Sequence, residues 1–444
     1  MKREKTFFRT VCGLAAPVAL QSMLQSSFSI VDQIMIGQLG SVAIAGVGLA
    51  GKFSSIHSVV GAAIGAVAGI MISQYMGQKN QQEVRRSFYL NLAFSVLLAL
   101  AFTAFSLFWP REIMGLYTND LPTIEAAAAY LAILAAAFLP MAGATMLSAL
   151  FRCMEKASLP LYASAGAALV NTGLNYLLIF GKLGLPALGA RGAAVATVIS
   201  QLINLLVMLG MLARVKAPWK VRGPMLAGFR WRQYAAMLLP VLICEFLWSL
   251  GENVYAGIYG HMGAAATAAM TLLNPIQGLM TGALCGLAQA AGVLIGKDLG
   301  RGDFDGAYRA AKKLLLYGFA ASLCLSAVIV LIRPFYVEIY QVEDVVKTST
   351  AQLLVAYALV APFKVQNMIL GSGILRSGGN TSYVMWIDLI GTWLFGVPLG
   401  LLSAFVFRWS IPLVYFTLSL EECVRFALSL WVLRRKRWMR TMEA

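Results

Sequence analysis

Leu90 to Trp109, Gly192 to Ala213 and Leu314 to Ile332 each run 19 to 22 residues without a charged side chain. A helix crossing a hydrocarbon layer of ~30 Å needs a stretch of that length. The runs lack the turn signals that would divide them into the strands of a β-barrel. Continued along the chain, the pattern predicts twelve spans, at 10–36, 44–75, 88–109, 123–149, 160–180, 191–213, 234–259, 265–296, 312–332, 350–373, 382–407 and 411–433. The second and eighth are long enough to tilt or to extend past the lipid. The first follows basic residues but far exceeds the apolar core of a signal peptide, so it reads as a retained span.

Composition agrees without deciding the matter. Of 444 residues, 59% are hydrophobic and 12% charged, against roughly 25% charged in soluble domains. A large soluble core could hold that apolar content; the run lengths are what exclude it. The net charge of +16 changes the picture more. Assigning loops alternately to two sides places 26 of the 35 Lys and Arg on one side, from Lys2, Arg3 and Lys5 through Arg376 to Arg434, Arg435, Lys436, Arg437 and Arg440. Six fall on the other: Arg111, Lys182, Arg191, Arg333, Lys347 and Arg408. By the positive-inside rule both termini are cytoplasmic and the chain is a multi-pass protein of the cell membrane. The basic excess is thereby used, and no nucleic acid partner is implied. Six cysteines are scattered singly and no CxxC occurs, so packed thiols are expected and not a metal site.

The chain matches itself at an offset of 223 residues. Pro17 falls on Pro240, Gly37 on Gly260, Gly40 on Gly263, Ala45 on Ala268, Gly77 on Gly300 and Arg86 on Arg309. With one residue of slippage Pro110 meets Pro334 and Arg152 meets Arg376. Six spans per half is an even number, so the halves share an orientation. The expected fold is an all-α integral membrane protein, with two six-helix bundles related by an axis along the membrane normal. The bundles are 1–213 and 234–444, the second with a basic cytoplasmic tail, joined by a basic linker at 214–233. Two such bundles facing a cavity make a transporter more readily than an enzyme.

Polar residues inside the spans carry the candidate chemistry, because a charge at mid-bilayer costs on the order of 2.5–3.5 kcal/mol. In the first span Gln21, Gln25 and Asp32 share a face. They form either a polar face satisfied by neighbouring helices or an ion or proton site. The fifth span offers Asn171 and Asn175, the sixth Thr197; with one carboxylate they suit Na⁺ or a proton equally. In the second half Glu245, Trp248, Glu252 and Tyr255 lie close to one face. Lys364 and Asn367 follow in the tenth span and Asp388 in the eleventh. Pairing is expected there, with Lys364 neutralising Asp388 or Glu245 in at least one transport state, as a structural bridge or as a titrating relay. Gln21, Gln25, Trp248, Glu252, Tyr255 and Asn367 are candidate cavity-lining residues. The run Gly46 to Lys52 imitates part of a P-loop, but Phe53 stands where Ser or Thr is needed and no strand precedes it.

Several segments resemble the MATE (multidrug and toxic compound extrusion) family, in particular its bacterial DinF-like branch, along nearly the whole chain. They are Ala16-Pro17 with Gln21, Ile30-Val-Asp32-Gln-Ile-Met-Ile-Gly37-Gln-Leu-Gly40, Asn171-Thr-Gly-Leu-Asn175-Tyr and Gly192-Ala-Ala-Val-Ala-Thr197. In the second half they are Leu239-Pro240 to Gly251, Leu375-Arg-Ser-Gly-Gly-Asn380, and Asp388 followed by Trp393 and Pro398. Phe151-Arg-Cys-Met-Glu-Lys156 departs from the family's LRxxGD. The resemblance implies a secondary active exporter of organic cations or other amphiphiles, without catalytic residues or cofactor. Export would run in antiport with H⁺ or Na⁺, coupled at Asp32, Asn171, Asn175 and Thr197, and the working unit would be a monomer. A flippase of lipid-linked precursors is the alternative; it should show a more basic cavity and extra spans.

Overall fold

The computed structural model describes residues 2–184, 186–215, 231–340 and 342–442, and side chains from residue 7 onward. Most of the linker expected at 214–233 lies outside the described residues. The first part of the chain forms α1 (Lys2–Gly37), α2 (Ser41–Gly77), α3 (Gln81–Phe108), α4 (Pro110–Gly115), α5 (Leu121–Leu134), α6 (Phe138–Cys153), α7 (Ser158–Phe180) and α8 (Ala190–Arg214). A 3₁₀ turn at Ala135–Ala137 joins α5 to α6, so one segment spans Leu121–Cys153. Then come α9 (Trp231–His261), α10 (Ala264–Gly300), α11 (Phe304–Glu338) and α12 (Asp344–Met368). The last are α13 (Ser382–Asp388), α14 (Val397–Leu401), α15 (Ile411–Leu418) and α16 (Glu421–Arg435). Among the described residues 11 helical segments are long and apolar enough to cross a membrane. The twelfth expected span, 411–433, is built from α15 and α16, with a turn just ahead of Glu421 and Glu422.

The repeat is visible in where helices begin. Starts at residues 41, 81 and 121 recur at 264, 304 and 344, and the start at 158 recurs at 382. Local chemistry explains two of these starts. Asp120 caps α5 by accepting from Thr123 N at 3.2 Å, and Asp303 caps α11 by accepting from Gly306 N at 2.8 Å. Both side chains satisfy a donor that the first turn leaves open. Helices α2 and α10, each 37 residues, correspond end to end. At 1.5 Å per residue each runs about 55 Å, well beyond a hydrocarbon layer.

Two compact units result. The N-terminal unit holds Leu20–Ile72 and Gln81–Ala227; the C-terminal unit holds Gly228–Ala444 together with Met1–Ala19 and Ser73–Asn80. Against the expected boundaries of 1–213 and 234–444, two short pieces of the first half therefore pack with the second. Specific contacts hold them. The Phe8 and Tyr317 rings meet edge-on at 5.5 Å. At the end of α2, Gln74 is fully buried and serves the C-terminal tail. Its Nε2 donates to Ser377 O at 2.6 Å and to Arg440 O at 3.2 Å, while its Oε1 accepts from Met442 N at 2.7 Å. Gln78 donates to Met442 O at 2.6 Å, and Thr441 donates to Leu299 O at 2.9 Å. Trp438, 0% exposed, anchors the same tail.

Around residues 369–406 the backbone widens. Ile369–Leu375, Leu389–Gly396 and Leu402–Val406 are π-helical. Such wide turns shift side-chain register and are frequent at functional positions. Asn367 stands just before the first, Arg376 just after it, and Asp388 just before the second.

Candidate functional site

In the N-terminal unit α1, α7 and α8 bring together what the sequence separates by more than a hundred residues. Asn175, 1% exposed, donates from Nδ2 to Asp32 Oδ1 at 2.7 Å. Asn171, with its amide oriented so that both ends find partners, donates to Asp32 Oδ2 at 3.0 Å and accepts from the Ser200 hydroxyl at 3.3 Å. The 3.6-residue period puts Asn171 and Asn175 on one face of α7, so one carboxylate receives two amides. Asn175 Oδ1 is buried and, among the described residues, has no hydrogen-bond partner. It is an oxygen acceptor left open beside a carboxylate, and such an orphan inside a protein is costly unless something fills it.

Thr197 turns inward on its own helix, donating to Ala193 O at 3.0 Å, with buried Tyr130 nearby. Tyr130 lies close enough to Asp32 to feel its charge. Ser200 and Tyr130 adjoin the group, and neither is among the residues that the sequence singles out. Ser200 lies three residues after Thr197 and so on the same side of α8, which was the available signal. Gln21 is half-buried and Gln25 exposed; among the described residues neither hydrogen-bonds to the Asp32 cluster.

The C-terminal unit holds a second, more highly charged constellation. Arg376 Nη1 pairs with Glu245 Oε1 at 3.3 Å, and its Nη2 donates to Cys244 Sγ at 3.2 Å. The Cys244 thiol donates to Asp388 Oδ2 at 2.7 Å. Asp388 pairs with Arg425, which also reaches Glu422 at 3.4 Å. Asn367 Nδ2 donates to Glu422 Oε2 at 2.7 Å, and the Tyr255 hydroxyl donates to Glu421 at 2.5 Å. A continuous polar chain thus crosses α9, α12, α13 and α16. Glycines make room for it, Gly391 beside Arg425 and Gly396 beside Glu421.

The structure pairs these groups differently from the expectation. Arg425 takes Asp388 and Arg376 takes Glu245, so Lys364 holds neither and, among the described residues, makes no ion pair. The acids whose charge it feels most are Glu422, Glu252 and Glu421. Arg376, counted from sequence among loop cations, is 8% exposed and part of the network. Two cavities of about 250 Å³ each adjoin it. One is walled by Trp248, Tyr357, Met368 and Asn367, the other by Tyr259, Asn274, Gln277 and Tyr415. Tyr255 and exposed Glu252 line the second, and Glu252 lines both.

Known proteins place this arrangement in a family. The MatE family model matches twice, at residues 17–177 and 240–402, and the two matches begin on Pro17 and its repeat mate Pro240. The multidrug resistance protein NorM of Burkholderia vietnamiensis is 28% identical over 88% of this chain and 86% of that relative. The multidrug resistance protein MdtK of Edwardsiella ictaluri is 26% identical over 89% and 87%. The uncharacterized transporter YisQ of Bacillus subtilis is 21% identical over 98% and 94%. The solved structure of the Vibrio cholerae MATE transporter VcmN in the bent form superposes with a TM-score of 0.88, covering 99% of this chain and 100% of that one, at 16% identity. An outward-facing multidrug resistance MATE transporter superposes at 0.85, over 96% of each chain. With the family model matched in both halves, the chain belongs to the MATE family of membrane transporters.

Proposed function

We propose that this chain is a secondary active exporter of cationic or amphiphilic small molecules, driven by inward flow of H⁺ or Na⁺ and operating in the cell membrane as a monomer with both termini in the cytoplasm. The observation that carries the reading is the carboxylate of Asp32 held by two asparagines, with Asn175 Oδ1 left as an open acceptor beside it. A carboxylate, an amide oxygen and nearby hydroxyls are hard oxygen donors suited to Na⁺, and the same carboxylate can take a proton. Either ion, once bound, removes the charge that makes Asp32 costly in a membrane. Coupling results if the cage closes around the ion in one conformation only, since equal affinity in both states would shift nothing.

The export direction and the solute class are supported by the relatives, named multidrug resistance proteins. The acids that outnumber the bases around the second constellation favour a cationic solute. The test is efflux of cationic dyes from cells or proteoliposomes, with the Na⁺ and pH gradients imposed one at a time. Export that tracks one gradient and collapses with it supports the reading. Export that ignores both, or depends on ATP, overturns it.

A further inference from the structure

The two cavities of the C-terminal unit share one wall, and that wall is made of four side chains: Glu252, Lys364, Glu421 and Glu422. The neighbouring cations are locked, Arg376 on Glu245 and Arg425 on Asp388 and Glu422. Lys364 is not. It contacts no carboxylate within ion-pair distance among the described residues, and lies in the field of three. Its acids have other attachments. Glu421 accepts from Tyr255, and Glu422 accepts from Asn367 and Arg425. One turn along, Asn367 is 8% exposed and its Oδ1 has no partner among the described residues. A lysine ammonium is a compact charge on a flexible four-carbon stem, able to move without the backbone moving.

We propose that Lys364 is a tethered counter-cation: in the empty protein its ammonium holds the place among Glu252, Glu421 and Glu422 that the cationic head of a solute takes on moving from one cavity to the other. The inference rests on the proposed export of cations and makes Lys364 the residue that sets which solutes are accepted. A solute must bring a positive charge to displace the lysine, and an apolar body to lie against Trp248, Tyr357 and Met368. A neutral solute leaves the ammonium where it is. An anion meets three carboxylates. The arginines cannot play this part, because each is held by a carboxylate it would have to abandon.

The measurement is binding of tetraphenylphosphonium to the purified full-length protein, with tetraphenylborate as its anionic counterpart. Lys364→Met removes the competing charge while keeping a chain of similar length. Tetraphenylphosphonium should then bind about 5- to 10-fold tighter than to wild type, and tetraphenylborate should bind to neither. If Lys364→Met does not fold, Lys364→Met/Glu422→Gln is compared with Glu422→Gln alone, and loss of the lysine should tighten cation binding there too. Unchanged or weaker cation binding in a folded lysine-free variant overturns the proposal. So does wild-type binding of tetraphenylborate that vanishes with the lysine, which would make Lys364 an anion receptor. Export by wild type without tightening in the variant sinks this inference alone; wild type that neither binds nor exports any cation sinks the transport reading with it.

Discussion

Gly77 and Gly300, 223 residues apart, make one contact twice: Gly77 lies against the carbonyl of Lys297, and Gly300 against the carbonyl of Gln74. Gln74 and Lys297 are themselves repeat mates, and so are Ser73 and Gly296, which touch between them. Small residues allow this backbone approach, and the opposing atoms are main chain that cannot rotate away. Gly300→Ala should therefore cost about 1–3 kcal/mol, read as a lower melting temperature in detergent. Gly278→Ala in the same helix meets nothing within 4 Å and should gain about 0.5–1 kcal/mol. Equal melting of the two variants would contradict the close crossing.

Asp32→Asn keeps the shape and much of the hydrogen bonding of the carboxylate but removes its charge. The variant should insert and bind solute, while gradient-driven export falls by about tenfold or more. Asn175→Ala deletes one neutral ligand and should weaken coupling less. Ser200→Ala removes one of the two partners of the Asn171 amide and should have a smaller effect again, of order one neutral hydrogen bond or about 0.5–1.5 kcal/mol. Full gradient-dependent export by Asp32→Asn at wild-type expression would move the coupling site elsewhere.

Arg425 bridges Asp388 and Glu422, so Arg425→Leu strands two carboxylates. A loss of about 3–5 kcal/mol is expected from leaving buried charge unpaired. Adding Asp388→Asn should restore part of that loss, whereas adding it to Lys364→Met should restore none. Thermal melting of the four variants makes the comparison, and rescue in the lysine background would reassign the partner.

The tail anchored by Trp438 should matter although it comes after the last helix. Trp438→Ala opens a cavity and should cost about 3–5 kcal/mol. Gln74→Leu, which leaves Met442 N, Arg440 O and Ser377 O without their partner, should destabilise in the same direction. A tail that can be cut after Arg437 with no change in melting would show that it rests on the surface.

The basic asymmetry predicts sidedness. A cysteine at exposed Asn119 should react with an impermeant thiol reagent from outside intact cells, and one at exposed Lys79 only after permeabilisation. Reaction of both from the same side would overturn the orientation.

Much of the fold was legible because its signals are local and repeated. Charge-free runs gave the spans but not their ends: the starts expected at 265, 312 and 350 fall at 264, 304 and 344. That Asp32, Asn171 and Asn175 meet was legible through the resemblance to the MATE family, which implies a first-span acid beside the fifth-span asparagine pair. The partner choices in the second half were not. Lys364, Arg376 and Arg425 all carry one charge, and which of them meets Asp388 depends on π-helical turns at 369–375 and 389–396. One extra residue in a turn rotates the rest of the helix by roughly 100°, and composition does not announce it. Ser377, Arg440 and Met442 offer main-chain groups to Gln74, and a backbone carbonyl has no signature in a sequence.

The clasp between Gln74 and Met442 also fixes an order of events during biogenesis. The two residues lie 368 positions apart, and at about 5–20 residues per second the ribosome needs on the order of 20 to 70 s to pass from one to the other. Every residue of the N-terminal unit has been made by Ala227, so that unit can assemble while synthesis continues. The C-terminal unit cannot close until its final residues arrive, and the buried end of α2 must wait for them with its amide open. A nascent chain stalled shortly before Trp438 should therefore carry one finished bundle and one unfinished one, which quality-control proteases can tell apart.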